Sequence, residues 1–213
     1  MEILAHRGWW LDRAERNTRQ AFERAFAAGF GVETDVRDHS GRLVIAHDPA
    51  TEHAMSLDVF LDTYESYPTR PTLALNIKAD GLTEMVNDAL AKRGIDSYFV
   101  FDMSVPDTLH YLRAGLRTYL RRSEHESPSP LEDRAQGIWL DDFTGGFASP
   151  DQVISALASV SAVALVSPEL HGRPHARTWS VWRDVKATVK GRLAICTDFP
   201  DAAAAYFSGE MSS

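Results

Sequence analysis

The chain has 213 residues, 44% of them hydrophobic, with 22 Lys and Arg against 30 Asp and Glu and a formal net charge of -8. That length suits one domain with a sizeable core, and the acidic balance excludes phosphate-backbone binding to nucleic acid as the main role. An acidic protein that handles an anion must do so with a few local cations or a metal. Cys196 is the sole cysteine, so no internal disulfide forms, and it reads as a small buried residue. A reducing, cytoplasmic location is expected. No apolar run approaches the ~18 residues that span a bilayer. Met1-Glu2-Ile3-Leu4 enters an apolar segment without the basic start of a signal peptide. No stable membrane insertion and no nucleic-acid partner are therefore expected, and oligomeric state is left open.

Ile3-Leu4-Ala5 is the first predicted strand and ends at His6-Arg7-Gly8. A polar, aromatic loop follows over 9–16, with Trp9 and Trp10 read as loop packing. Asn17 or Thr18 caps a helix in which Ala21, Phe22, Ala25, Phe26 and Ala28 recur at helical spacing. Gly29 and Gly31 close it, and a strand begins over 31–37. Ser40-Gly41 marks a tight turn, so 31–37 and 42–46 form a hairpin or a bent continuation. A helix over 56–64, a strand at 73–78, a helix over 82–92 closed by Gly94, a strand at 98–101, a helix over 105–113 and a strand at 116–120 come next. A polar loop over 123–133 precedes a strand at 137–140, a helix over 150–158, a strand at 162–166, a helix over 176–185, a strand at 193–195 and a helix over 200–207.

Strand and helix thus alternate to about eight strands, which implies a parallel sheet. Eight such units close as a (β/α)8 TIM barrel, although ~250 residues is more typical. An open doubly wound sheet is the alternative, but no G-x-G-x-x-G follows the first strand. With no linker in view, residues 1–213 read as a single compact α/β domain. In a barrel, catalytic side chains gather where strands end.

Glu33 and Asp35 sit at i and i+2 of one strand and leave on the same face. Two such carboxylates repel unless a positive group lies between them, and a hard divalent cation with oxygen ligands is the usual answer. His6 and His47 end neighbouring apolar runs and supply two imidazoles. Asn76 and Lys78 end the strand at 73–78. Lys78 suits substrate contact or a salt bridge to Glu33, and Asn76 ligation or plain hydrogen bonding. Arg121, at the end of the strand at 116–120, is a candidate for anion binding. Glu169, His171, Arg173 and His175 suit either substrate recognition or a solvated loop, and the solvated loop is the reading taken.

His6-Arg7-Gly8, Asn17-Thr18 opening a helix, Glu33-Thr34-Asp35-Val36, Gly41, Val44 and His47-Asp48 resemble, in order and spacing, the glycerophosphodiester phosphodiesterase family. Asn76-Ile77-Lys78 falls where that family has Glu-x-Lys, and Thr197-Asp198-Phe199-Pro200-Asp201 is similar to its closing segment. The resemblance implies a (β/α)8 barrel and metal-dependent hydrolysis of a small phosphodiester. It implies Glu33 and Asp35, with Asn76, as ligands of Mg²⁺, Ca²⁺ or Mn²⁺, and His6 and His47 as the acid–base pair. Arg7, Lys78 and Arg121 would hold the phosphate. Three departures stand out. Asn76 replaces a carboxylate ligand, and Arg16 stands where the family commonly has Glu. Only about twenty-five residues separate His47 from the next strand, which leaves no room for the family's usual substrate-binding insertion. A weakened relative that only binds a phosphorylated ligand, and a lipid phosphodiesterase of sphingomyelinase D type, are the alternatives. A lyase using Lys78 as a Schiff-base nucleophile leaves the histidines and carboxylates unexplained.

Overall fold

Four of the seven α-helices among the described residues start where the sequence offers a side-chain cap. In the computed structural model, which describes residues 1–209, the side chains of Thr18, Ser56, Ser104 and Ser149 accept first-turn amides of α1 (Arg19–Ala27), α2 (Leu57–Glu65), α4 (Val105–Ala114) and α5 (Pro150–Ser159). Proline follows the cap in α5 and opens α7 (Pro200–Ser208). The remaining helices are α3 (Thr83–Lys92) and α6 (Ala176–Thr188). The strands are β1 (Glu2–His6), β2 (Gly31–His39), β3 (Arg42–Ile45), β4 (Leu73–Ile77), β5 (Tyr98–Phe101), β6 (Tyr119–Arg122), β7 (Gly137–Leu140), β8 (Ala162–Val166) and β9 (Arg192–Thr197). Eight strands alternate with helices as a (β/α)8 barrel requires. The ninth, β3, is the antiparallel arm of a hairpin with β2.

The described residues form two compact units, residues 5–118 in one and 1–4 with 119–209 in the other. In the first, β4 pairs in parallel with both β2 and β5. Its core holds Phe22, Phe26, Phe60, Tyr64, Leu73 and Leu75 between α1, α2 and the sheet. Phe22 meets Phe60 edge-on at 4.7 Å. In the second unit β6, β7, β8 and β9 run in parallel order, and Trp179 and Trp182 of α6 are buried. Cys196 is buried, as its context predicts. Among the described residues no helix is long and apolar enough to cross a membrane.

Two expectations fail locally. The strand expected at 116–120 starts at Tyr119. Gly115 takes φ 76, and the Leu116 N–H turns back to the Tyr111 carbonyl at 3.1 Å, which closes α4, while Arg117 and Thr118 pair with Val100 of β5 only as an isolated bridge. The loop at 168–175 is only partly solvated. Pro168–His171 winds into a short 3-10 turn, and its polar side chains find partners in the same unit. Glu169 accepts from Ser167, from Thr197 and, at 3.2 Å, from the Asp198 N–H. His171 Nε2 lies 2.7 Å from Asp141 Oδ1.

Candidate active site

Seven of the eight residues singled out in the sequence lie in the first unit, at or just past the ends of β1 and β4, within β2 and just past β3. Glu33 and Asp35 are 2% and 1% exposed. They share a face of β2, and Asp35 is the register partner of Asn76 on β4. Asn76 Nδ2 donates to Glu33 Oε1 at 3.4 Å. His6, the last residue of β1, places Nε2 3.9 Å from Glu33 Oε2, too far for a hydrogen bond. Arg7 Nε lies 3.1 Å from Asp35 Oδ2. That is an ion pair by distance, although the N–H is not aligned for a hydrogen bond.

Lys78 corrects the expected pairing with Glu33. Its Nζ lies 3.5 Å from Asp35 Oδ1 and donates to Asp102 Oδ2 at 3.3 Å. The register explains this. Glu33 is level with Ala74 and Asp35 with Asn76, while the Lys78 N–H donates to Val36. Lys78 therefore sits farther along the sheet than Glu33, beside Asp35 and the end of β5.

The backbone is bent to make the site. Of the four non-glycine residues with positive φ among the described residues, Arg7 (57°), Asn17 (58°) and Asp102 (74°) are here, and the fourth, Ser40, is in the hairpin turn. Such conformations are sparsely populated and gather at functional sites. Gly8 is required on two counts. Its φ is 86°, and a Cβ there would stand 2.8 Å from Ala21 Cβ. Of the two cap candidates, Asn17 and Thr18, Thr18 is the cap. Asn17 Nδ2 instead donates to Asp35 Oδ2 at 2.9 Å, and its Oδ1 accepts from Thr34 Oγ1 at 2.9 Å. Asparagine's tolerance of the left-handed region, directly before a helix, was the signal for this.

Glu33 Oε2 and Asn76 Oδ1 are buried and accept no hydrogen bond from the described residues. Burial, reinforced by the Asp35 charge, pushes the Glu33 carboxyl up to about 7 against the pull of His6, Arg7 and Lys78. Among the described residues no group of three His, Cys, Asp or Glu side chains is arranged to hold a metal ion. His47 is half-exposed, its Nδ1 2.9 Å from Asp48 Oδ1, and Arg37 donates to its carbonyl at 3.2 Å. Arg7, Asn17, His47 and Asp48 line a hollow of about 560 Å3. Trp9 packs edge-on to Phe30 at 5.6 Å, consistent with loop packing.

Arg121, the eighth residue, belongs to the second unit. It lies inside β6 rather than at a strand end, and its Nε donates to Glu126 at 2.5 Å. Its neighbour Arg122 is buried and forks onto Glu132.

No protein-family model matches the chain, and no curated protein does. Solved structures do match. A phosphodiesterase from Oleispira antarctica, in complex with the product sn-glycerol-3-phosphate, aligns at TM-score 0.70 and 17% identity over 98% of this chain and 97% of its own. The glycerophosphodiester phosphodiesterase of Agrobacterium tumefaciens aligns at 0.68 and 19% identity, over 98% of this chain and 100% of its own. The fold is that of the glycerophosphodiester phosphodiesterases. A Ca²⁺-dependent phosphatidylinositol-specific phospholipase C from Streptomyces antibioticus is more distant, at TM-score 0.56 and 9% identity over 97% of this chain and 95% of its own. Placed on the glycerophosphodiester phosphodiesterase fold, His6, Glu33, Asp35 and Asn76 stand at the strand ends or on the strands that open toward them, where barrel enzymes carry their chemistry.

Proposed function

We propose that this chain is a phosphoric diester hydrolase that cleaves a small, glycerophosphodiester-like substrate. The observation that carries the reading is the buried Glu33–Asp35 pair flanked by His6, Arg7 and Lys78, on a fold shared with glycerophosphodiester phosphodiesterases. Glu33, Asp35 and Asn76 offer only oxygen donors, two of them unsatisfied and buried. That donor chemistry fits a hard divalent cation such as Mg²⁺ or Ca²⁺. When bound, the ion supplies Lewis-acid neutralisation of the phosphate charge.

The chain's own residues do the rest. Arg7 offers its fork of N–H groups to non-bridging oxygens, and Lys78 adds a point charge. One of His6 and His47 takes the proton from the nucleophile, a water or a substrate hydroxyl. The other gives a proton to the departing alkoxide oxygen. Asn17 holds Asp35 in place. Residues 1–213 act as one catalytic domain in the cytoplasm. Asn76 in place of a third carboxylate favours a second reading, a weakened relative that retains a phosphorylated ligand without turnover.

The test is a metal-by-substrate assay with bis(p-nitrophenyl) phosphate and glycerophosphodiesters. Activity should need Mg²⁺, Ca²⁺ or Mn²⁺ and vanish in EDTA. His6→Ala and His47→Ala should each lower kcat by ~10²–10⁴. Full activity in EDTA, or in both histidine variants, sinks the mechanism. Tight phosphate-ester binding without turnover, converted to turnover by Asn76→Glu, establishes the second reading.

A further inference from the structure

Asp102 breaks the side-chain alternation of β5. Along that strand Tyr98 and Val100 pack toward the core cluster that also holds Ile77. Phe99 and Phe101 share the opposite face, their rings 5.7 Å apart. By period alone Asp102 would follow Val100 toward the core. Its φ of 74° stops that, and Met103 packs against the core in its place. Phe101 is the register partner of Asn76, so the re-aimed carboxylate comes level with the end of β4. There Asp102 Oδ2 accepts from Lys78 Nζ at 3.3 Å, and the same ammonium stands 3.5 Å from Asp35 Oδ1. Both side chains of the Lys78–Asp102 pair are mostly buried. Glycine would take this φ without strain but would bring no carboxylate. The left-handed turn therefore serves to set an acid beside Lys78.

Resting on the phosphodiesterase reading above, we propose that Asp102 is a positioning residue. It draws the Lys78 ammonium to the β5 side of Asp35 and so keeps it off the carboxylate oxygens that would bind a divalent cation. The lysine stem is long and flexible and its head is a point charge. Glu33 Oε2 is buried without a hydrogen bond, and the Lys78 charge already pulls on the Glu33 carboxyl. Without the Asp102 charge, the attraction of Asp35 and Glu33 for that ammonium is unopposed. An ammonium settled on those oxygens competes with a metal ion for them, and it also withdraws the donor that would meet the phosphate. Shared between two acids at 3.3 and 3.5 Å, Lys78 stays close to the pair without occupying it.

The test is a mutant cycle on the full chain, with Asp102→Gly and Asp102→Asn alone and Asp102→Gly added to Lys78→Met. Glycine adopts the left-handed φ freely and asparagine tolerates it, so both single variants should melt within ~5 °C of the parent. Calorimetric titration with Mg²⁺, Ca²⁺ and Mn²⁺ should show binding at least about threefold weaker in Asp102→Gly. Its kcat on bis(p-nitrophenyl) phosphate should fall at least about tenfold. Asp102→Asn, whose amide oxygen still accepts from Lys78, should keep part of both. In the Lys78→Met background, Asp102→Gly should move either quantity by less than about twofold, because the group it steers is gone. Equal losses in both backgrounds mean that Asp102 acts directly or through its own charge, and overturn the proposal. So does an Asp102→Gly variant that binds metal and turns over like the parent. A crystal structure of Asp102→Gly decides without turnover: Lys78 Nζ should close to hydrogen-bond distance of Asp35 or Glu33, and an ammonium that stays in place overturns the proposal. A parent protein that cleaves no diester removes the phosphodiesterase reading, while the titration and the crystal structure still judge Asp102.

Discussion

Replacing Asn17 by glycine removes both of its side-chain bonds without straining the chain, because glycine adopts a φ of 58° freely. The bond to Asp35 is charge-assisted and is worth ~1.5–3 kcal/mol. The Thr34 hydroxyl, on a residue with no exposed surface, is left unsatisfied at a cost of ~1 kcal/mol or more. Asn17→Gly should therefore destabilise by ~2.5–4 kcal/mol. Asn17→Ala loses the same bonds and adds ~1 kcal/mol for a Cβ in the left-handed region. Urea unfolding followed by tryptophan fluorescence gives both values from the midpoints, with an unchanged slope. Adding Thr34→Val to Asn17→Gly should recover ~1 kcal/mol, since both partners of the bond are then apolar or absent. A glycine variant within ~1 kcal/mol of the parent, or an alanine variant more stable than the glycine one, would show that Asn17 does not brace the acidic pair.

Gly8→Ala should cost ~2–4 kcal/mol, combining a left-handed Cβ with overpacking against Ala21 Cβ at 2.8 Å and the Ala21 carbonyl carbon at 2.9 Å. A melting temperature equal to the parent's would contradict that. Glu132 gives a pH prediction. Burial alone raises its carboxyl, but the Arg122 fork and the Ser129 N–H outweigh burial and hold it below the usual range. A depressed folded value means stability that is present above the unfolded value of about 4.5 and is lost as pH falls through the folded value. Glu132→Gln should cost ~3 kcal/mol or more at pH 7, because it strands a buried Arg122. It should also flatten the acid limb of a stability-against-pH curve, and an unchanged limb would count against the pairing.

The hairpin, the helix caps and the strand–helix alternation were legible because each rests on local chemistry. Ser40-Gly41 turns, Thr18 and Ser56 cap, and Glu33 and Asp35 share a face by period alone. What was not legible depends on register or on the partner of a charge. Lys78 pairs with Asp35 and Asp102 because of how far β4 runs past Glu33, which composition does not encode. Arg122 and Glu132 look like surface charges in a polar stretch, yet a capping box at Ser129 folds Glu132 back under the guanidinium. Glu169 and His171 read as solvated until the proline-started turn carries them onto Thr197 and Asp141. Asn17 was visible as a helix-start residue, but its bond to Asp35 spans eighteen positions of sequence.

The nine-residue length of β2 couples two parts of the candidate site mechanically. Its first half carries Glu33 and Asp35. Its second half pairs with β3, and the Ala46 N–H, one residue before His47, donates to the Asp35 carbonyl at 3.0 Å. Acid and imidazole therefore ride on a single girder, and their spacing is insulated from whatever happens at its far tip. Residues grafted into the Ser40-Gly41 bend would lengthen the overhang and leave the span between carboxylate and ring as it was, which makes that bend the natural place to attach a reporter or a tether.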